Sequence, residues 1–258
     1  MPMTSDWDRP DPDRLCTAVN CSIGRPAGDP DLGRARQLGL DRIELWWPWT
    51  TPEPTDDQVD ELVGELKRRG LTLVALNFWG GDTAGGERGV LDVEDLSARH
   101  LDAHARLAGK TGADRFNLLV GRGGRTITTA QRDRIARVAD SVTGRGLGTV
   151  LLEPSRSPGE GPADYPLQTF DDVYDVLFST AGTGLLVDFW HLAGTEGTAG
   201  IGTWLERITA SRQLPSHVQI ADDPGRGAPG TGHLPVGEWV AGLHAAGYTG
   251  DVAGEWVW

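Results

Sequence analysis

Leu185-Leu-Val-Asp-Phe-Trp-His191 decides how this chain is read. Three apolar residues run into Asp188, and His191 follows three positions on. A buried strand that ends this way delivers polar groups to one edge of a sheet. His217-Val-Gln-Ile-Ala-Asp-Asp-Pro-Gly-Arg226 repeats the pattern with Gln219, Asp222 and Arg226. Val150-Leu-Leu-Glu153 ends in one carboxylate and Val252-Ala-Gly-Glu255 in another. Glu153, Asp188, Gln219 and Glu255 are separated by 35, 31 and 36 residues. Each interval holds one strand, one helix and two loops, so four successive strands bring Glu, Asp, Gln and Glu to corresponding positions.

The same period extends outward to both ends. Strands are expected over 15–20, 42–46, 71–77, 115–120, 148–153, 184–188, 216–220 and 250–255. Helices are expected over 31–38, 55–70, 93–111, 128–143, 168–179, 200–211 and 236–246. Thr55 can cap its helix, Val59, Leu62, Val63 and Leu66 recur at helical spacing, and Gly70 stops it. Strict alternation implies parallel strands, and eight units imply an α/β fold closed into a (β/α)8 TIM barrel. The 258 residues match the usual size of one such domain. The barrel would occupy 15–258 as a single domain behind a loose, acidic, Pro-rich arm over 1–14. An open doubly wound sheet is the competing architecture, disfavoured because no Gly-rich dinucleotide fingerprint follows the first strand. Only seven helices accompany eight strands, so the final helix is missing. The N-terminal arm, a partner subunit in a homo-oligomer, or altered packing would have to cover that wall.

Net charge is −13, from 37 acidic and 24 basic residues, and no basic stripe offers phosphate contacts. Nucleic acid is therefore disfavoured as a partner. No apolar run is long enough to span a membrane, and residues 1–14 lack the apolar core of a signal peptide. Cys16 and Cys21 lie five apart, on one expected strand, and read as reduced thiols in or near the core, which fits a cytoplasmic protein. Ten tryptophans are many for this length. Trp46, Trp47, Trp49, Trp79, Trp190 and Trp256 follow strands and suggest an aromatic-lined pocket, with core packing as the alternative.

The C-terminal ends of barrel strands share one mouth, so Glu153, Asp188, Gln219 and Glu255 would be neighbours. One such acid would as readily cap a helix. Four in register form an all-oxygen set of formal charge −3 that calls for a cation. Mg2+ or Mn2+ suits it better than zinc, which favours His and Cys. His191 would hydrogen-bond a substrate oxygen or cap the following loop. Arg226 would grip a carboxylate or hydroxyl, or form a surface ion pair. His217 shares the side of Gln219 and reads as a supporting group or ligand. His100, His104 and His244 fall in helices, at surface or packing positions.

These residues resemble the hydroxypyruvate isomerase family of the xylose-isomerase-like TIM-barrel superfamily. The likeness rests on Gly81-Asp-Thr-Ala-Gly-Gly-Glu-Arg-Gly89, Asn117-Leu-Leu-Val-Gly121, Leu152-Glu153, Asp188-Phe-Trp-His191, His217-Val-Gln-Ile-Ala-Asp222, Pro224-Gly-Arg226, Pro229-Gly-Thr-Gly232 and Glu255. It implies metal binding by Glu153, Asp188, Gln219 and Glu255, with both glutamates moving protons. It implies aldose–ketose isomerisation of a small sugar or oxo-acid through an enediolate, hydroxypyruvate giving tartronate semialdehyde. His191 would then donate to the developing oxyanion, Arg226 would orient the substrate, and Asn117, Trp79 and Trp46 would line the site. The sequence departs from the family in three places: His233 replaces a usual Glu, no helix follows Glu255-Trp-Val-Trp258, and Trp46, Trp47 and Trp49 make a bulky wall. Two related readings stand beside this one: an epimerase or isomerase of a larger sugar or inosose, and a non-catalytic metal- or sugar-binding barrel. A DNA-repair endonuclease would need several zinc-binding His at strand ends, where strands two and three here end in Glu44-Leu-Trp and Asn77-Phe-Trp.

Overall fold

The structure, a computed structural model, describes residues 15–156 and 164–258; the expected arm over 1–14 lies outside them. Eight parallel strands close into a barrel in sequence order: β1 (Ala18–Asn20), β2 (Arg42–Leu45), β3 (Thr72–Asn77), β4 (Arg115–Asn117), β5 (Thr149–Leu152), β6 (Thr183–Asp188), β7 (His217–Ile220) and β8 (Val252–Gly254). The described helices are α1 (Gly33–Gln37), α2 (Asp56–Arg69), α3 (Ala98–Thr111), α4 (Thr129–Gly144), α5 (Phe170–Leu177), α6 (Phe189–Thr195), α7 (Gly197–Ser211) and α8 (Val236–Ala246).

Alternation along each strand divides its side chains between helix layer and barrel interior. Val19, Ile43, Leu76 and Val187 face outward into one continuous core with the helices. On α2, Val59, Val63 and Leu66 are buried against it, each burial worth about 1.5–3 kcal/mol. Thr55 and Gln58 form a reciprocal cap at its start, and Gly70 ends it in the left-handed conformation. Inside the barrel, Ala18, Ala75 and Ala253 form a small separate cluster with Val74. One pleat further along, Asn20 and Glu255 occupy the same side as Ala18 and Ala253, so the interior changes from alanine to polar groups toward the mouth.

Several boundaries differ from expectation for identifiable reasons. The third helix begins at Ala98 rather than 93, because the Ser97 side chain accepts the His100 N–H and caps it there. The fourth strand stops at Asn117, after which Val120 bridges antiparallel to Gly89. That bridge requires glycine: a Cβ on Gly89 would lie 2.0 Å from the Leu119 carbonyl oxygen, at φ +93. After β6 the chain forms two helices where one was expected over 200–211, since Asp188 caps α6 immediately by accepting from the Trp190 and His191 N–H groups. Cys16 and Cys21 form no disulfide and are buried, as read.

Among the described residues no helix follows β8. The strand is nonetheless paired on both sides, with β7 and β1, and the Glu255 N–H donates to the Ile220 carbonyl at 2.9 Å. The tail packs instead through Trp256 stacked on Trp258, with the Arg34 guanidinium of α1 5.4 Å from the Trp258 ring centre. Glu255 is thus held in place by the pairing of β8 and by its own backbone hydrogen bond.

Candidate active site

The strand ends of β5 to β8 do converge. Asp188 and Gln219 are registered side by side on β6 and β7, and Glu153, Asp188 and His191 offer ligand atoms within 4.8 Å of one another. All three carboxylates expected here are buried: Asp188 at 0%, Glu255 at 3% and Glu153 at 5% exposure. Glu153 and Glu255 line a cavity of about 650 Å3 together with Trp46, Trp79, Asn117 and Trp190, while Asp188 is not part of the lining.

Arg226 stands at the centre. Its NH2 donates to Asp188 Oδ2 at 2.5 Å and also to Glu255 Oε2, and its Nε donates to the Glu255 backbone carbonyl at 3.1 Å. The sequence placed Arg226 over a substrate; the structure also makes it a bridge between two of the acids. Its backbone is held left-handed at φ +55. The loop carrying it is fixed by Asp222, whose carboxylate accepts the N–H groups of Gly230, Gly232, Leu234 and Asp223. Asp222 therefore shapes the loop and is not part of the cluster. His233 is exposed on that loop, outside the cavity lining.

Each remaining acid has its own holder. Asn117 Nδ2 donates to Glu153 Oε2 at 2.8 Å. Glu255 Oε1 accepts from Trp46 Nε1 and from Asn20 Nδ2, both at 2.9 Å. Trp46 is thus a wall residue and a hydrogen-bond donor to the acid set. Trp79 lines the cavity with its backbone N–H on His100 Nε2 at 3.3 Å, so His100 is a packing residue that ties the loop down.

Burial, and next the negative charge of Asp188, push Glu153 up to about 7. Burial likewise raises Asp188 and Glu255, opposed in both by Arg226. The cluster therefore holds more negative charge than one guanidinium compensates. His191 moves the other way: burial and the charges of Arg226, Arg156 and Arg88 hold it well below the usual histidine range, so it is neutral. The Arg156 N–H lies 3.1 Å from its Nδ1 and Arg226 NH1 lies 3.2 Å from its Nε2, so a donor meets each ring nitrogen, and a neutral imidazole accepts from only one of them. Its Nε2 also stands 3.7 Å from Glu153 Oε1 and 3.8 Å from Asp188 Oδ2, too far to bond either.

Three features fit a hard divalent cation: uncompensated buried carboxylates, a buried Gln219 Oε1 with no hydrogen-bond partner among the described residues, and room between Glu153 and Asp188. His191 is poorly suited as a ligand, because coordination through Nε2 would place its proton on Nδ1, against the Arg156 N–H.

Four residues at the site were not singled out from the sequence. Glu44, at the end of β2, is 2% exposed and accepts from Gln219 Nε2 at 2.7 Å, with His217 Nε2 also 2.7 Å away. His217 therefore supports Glu44 and does not join the acid cluster. Asn20 bridges Glu44 and Glu255. Arg156 lies over Trp190, its guanidinium carbon 3.6 Å from the ring centre, and Arg226 lies 4.7 Å from the same ring. Arg88, from the Gly-rich loop, completes the wall. A glutamate inside the apolar run of β2 was the readable signal for Glu44; no pattern in a Gly-rich loop marks which way its arginine turns.

Comparison with known proteins gives a consistent result. A family model described as xylose isomerase-like TIM barrel matches residues 32–257. A Streptomyces coelicolor protein named "Putative hydroxypyruvate isomerase" is 34% identical over 242 residues, spanning 86% of this chain and 82% of its own. Hydroxypyruvate isomerase of Escherichia coli is 26% identical, spanning 86% of this chain and 85% of its own. The crystal structure of AP endonuclease, family 2 from Brucella melitensis superposes with a TM-score of 0.74 at 22% identity, covering 93% of both chains. That last likeness is one of fold alone.

Proposed function

Because the chain belongs to the xylose-isomerase-like TIM-barrel family, and within it to the hydroxypyruvate isomerases, we propose that it interconverts a hydroxy-ketone and a hydroxy-aldehyde of a small oxo-acid through an enediolate. Hydroxypyruvate going to tartronate semialdehyde is the first choice. The observation that carries this reading is Glu153, a buried carboxylate pushed up to about 7 whose Oε1 stands 3.7 Å from His191 Nε2 at the wall of the cavity. A general base works best when its pKa lies near the working pH.

Glu153 would remove a proton from the carbon beside the carbonyl, with Asn117 holding the opposite oxygen of its carboxylate. His191 would donate its Nε2–H to the oxygen on which negative charge develops. Glu255, on the far side of Arg226, would serve as the second acid–base group, and Arg226 would hold the substrate between them. One proton moves from C3 to C2 and another from the C3 oxygen to the C2 oxygen, so the reaction balances with no redox partner. Glu153, Asp188, Gln219 and Glu255 would hold Mg2+ or Mn2+, which supplies electrophilic stabilisation of the enediolate oxygens. Cys16 and Cys21, buried and in no disulfide, support a reducing compartment such as the cytoplasm.

An oxo-acid is favoured over a neutral ketose by Arg88. Arg88 lines the cavity, and its guanidinium donates to two backbone carbonyls, Thr83 and Glu87, with no carboxylate partner among the described residues. Four arginines, Arg25, Arg88, Arg156 and Arg226, line the cavity, and in a chain of net charge −13 such a wall selects an anion. Arg88→Met is expected to raise KM for hydroxypyruvate about 10- to 100-fold while leaving dihydroxyacetone, which lacks the carboxylate, almost unaffected. Equal losses on both would remove Arg88 from carboxylate binding.

The cavity volume favours a second reading. About 650 Å3 is ample for a three-carbon acid and accommodates a larger sugar or inosose. Exchange of the substrate's carbon-bound hydrogen with D2O, followed by NMR across three- to six-carbon oxo-acids, ketoses and inososes, with Mg2+ and again with EDTA, separates the two. Metal-dependent exchange names the substrate class. Divalent binding with no exchange on any substrate would leave a non-catalytic binding barrel.

A further inference from the structure

We propose that Glu44 is a positioning residue that fixes the Gln219 side-chain amide with its oxygen as the free end, and so decides which atom β7 offers to a cation. The proposal rests on the divalent-cation reading above. It does not concern the ligand set itself but the residue behind it.

Glu44 belongs to β2, on the opposite side of the barrel from β6. Its Oε1 accepts from Gln219 Nε2 at 2.7 Å and from Asn20 Nδ2 at 3.0 Å, while its Oε2 contacts His217 Nε2 at 2.7 Å. Whichever partner carries the proton of the Glu44–His217 contact, Oε1 carries none and acts only as an acceptor. The end of the Gln219 amide that meets it must therefore be NH2. Turning the amide over would set two oxygens 2.7 Å apart. The consequence is visible at the other end: Gln219 Oε1 is buried and has no partner among the described residues, in a residue registered beside Asp188. A buried acceptor left unpaired in a residue registered beside an acid of the cluster suits a cation.

Asn20 shows that the arrangement is built from both sides. Its Oδ1 accepts the N–H groups of Ser22 and Ile23, at 2.8 and 2.9 Å, so its own amide cannot turn. Its NH2 is then directed at Glu44 Oε1 and Glu255 Oε1 together. Asn20 holds Glu44 in place, Glu44 holds Gln219, and His217 closes the network below. Only the Gln219 amide has a choice of orientation, and only Glu44 removes it.

The test exchanges the two side chains. Glu44→Gln offers Gln219 both an oxygen and an NH2, so the amide can turn and present NH2 to the site; Mn2+ affinity, measured by titration calorimetry or EPR, is expected to fall about 10- to 100-fold. In Glu44→Gln with Gln219→Glu, the group at 219 has two equivalent oxygens, receives the NH2 of the new glutamine and has no orientation to lose. Mn2+ affinity is expected to return to the parent value or above it. A carboxylate at 219 also strengthens binding by its charge, so this recovery supports the proposal only together with release of the Gln219 NH2 in Glu44→Gln, which a purely structural role for Glu44 would not produce in a folded protein. A metal-free readout runs in parallel: the Gln219 side-chain NH2 protons should be protected from exchange in the parent and released in Glu44→Gln. Glu44→Asp, which keeps the charge but draws it back by one methylene, serves if Glu44→Gln does not fold, with an intermediate loss expected.

Failure separates cleanly. A parent protein that binds no Mn2+ while Glu44→Gln still releases the Gln219 NH2 overturns the cation reading and keeps the orientation. A parent that binds Mn2+ with Glu44→Gln unchanged, or a double variant that folds without recovering, overturns the proposal.

Discussion

Glu153→Gln is expected to lower both turnover and D2O exchange by about 100- to 10,000-fold, the span typical of a lost general base. The substitution keeps the shape and leaves an oxygen to accept from Asn117 Nδ2, so the fold is retained and the loss reports chemistry. The pH dependence adds a sharper criterion. Burial, then the charge of Asp188, hold Glu153 at about 7, and a base works only when ionised. In the parent, kcat/KM is therefore expected to climb as pH rises toward about 7 and level off above. A cation bound beside the carboxylate favours the ionised form and carries this limb to lower pH, so the limb should move with Mg2+ concentration. Residual activity of Glu153→Gln should lack the limb altogether. If the variant keeps it, the titrating base is another group, Glu255 first among them.

The parts of this protein legible in its sequence are those governed by short-range rules. Strands that end in a polar residue alternate with helical spacing, and several helices stop at a glycine such as Gly70 or Gly247, so barrel closure follows from the period. The interval between Asp188 and Gln219 likewise predicts the register that the strands adopt. Helix starts set by a side-chain cap were less visible. Asp188 reads as the end of a strand and is also the cap of α6, one carboxylate serving both elements, so the reading over 200–211 began a helix too late. At α3 the difference runs the other way: the reading starts at 93, and the Ser97 cap delays the helix to Ala98.

Contacts across the barrel were out of reach. Glu44 meets His217 and Gln219 over separations of 173 and 175 residues, and nothing within β2 says whether its side chain enters the barrel or the helix layer. Arg226 was read as facing a substrate because a loop arginine has no other visible partner. Only closure brings Asp188 and Glu255 within reach of the same guanidinium. The tryptophans were readable as a group and not singly: Trp46 spends its N–H on Glu255, and Trp190 is clasped between Arg156 and Arg226.

Arg226→Met is expected to destabilise the protein in EDTA by about 3–5 kcal/mol, the cost of removing one partner from a buried ion pair. Methionine fills much of the same volume, so the loss is one of charge and hydrogen bonding more than of packing. Without the guanidinium, Asp188 and Glu255 keep their burial and lose the cation that opposes it. A buried acid whose folded pKa lies above its unfolded one binds more protons when folded, so its folded state weakens as pH rises from the unfolded value toward the folded one. In the parent, Glu153 already imposes this sign between about 4.5 and about 7. In the variant, Asp188 and Glu255 join it more strongly, and the melting temperature in EDTA should fall more steeply with pH than in the parent. Mg2+ supplies the missing positive charge to the same carboxylates and stabilises by mass action, about 2.7 kcal/mol at a hundred times its Kd. Melting curves with and without Mg2+ from pH 5 to 8 should therefore diverge with rising pH, and more widely in Arg226→Met than in the parent. Parallel curves would mean that Arg226 and the cation do not share the same acids, and the four-residue oxygen set would have to be redrawn without Asp188 and Glu255.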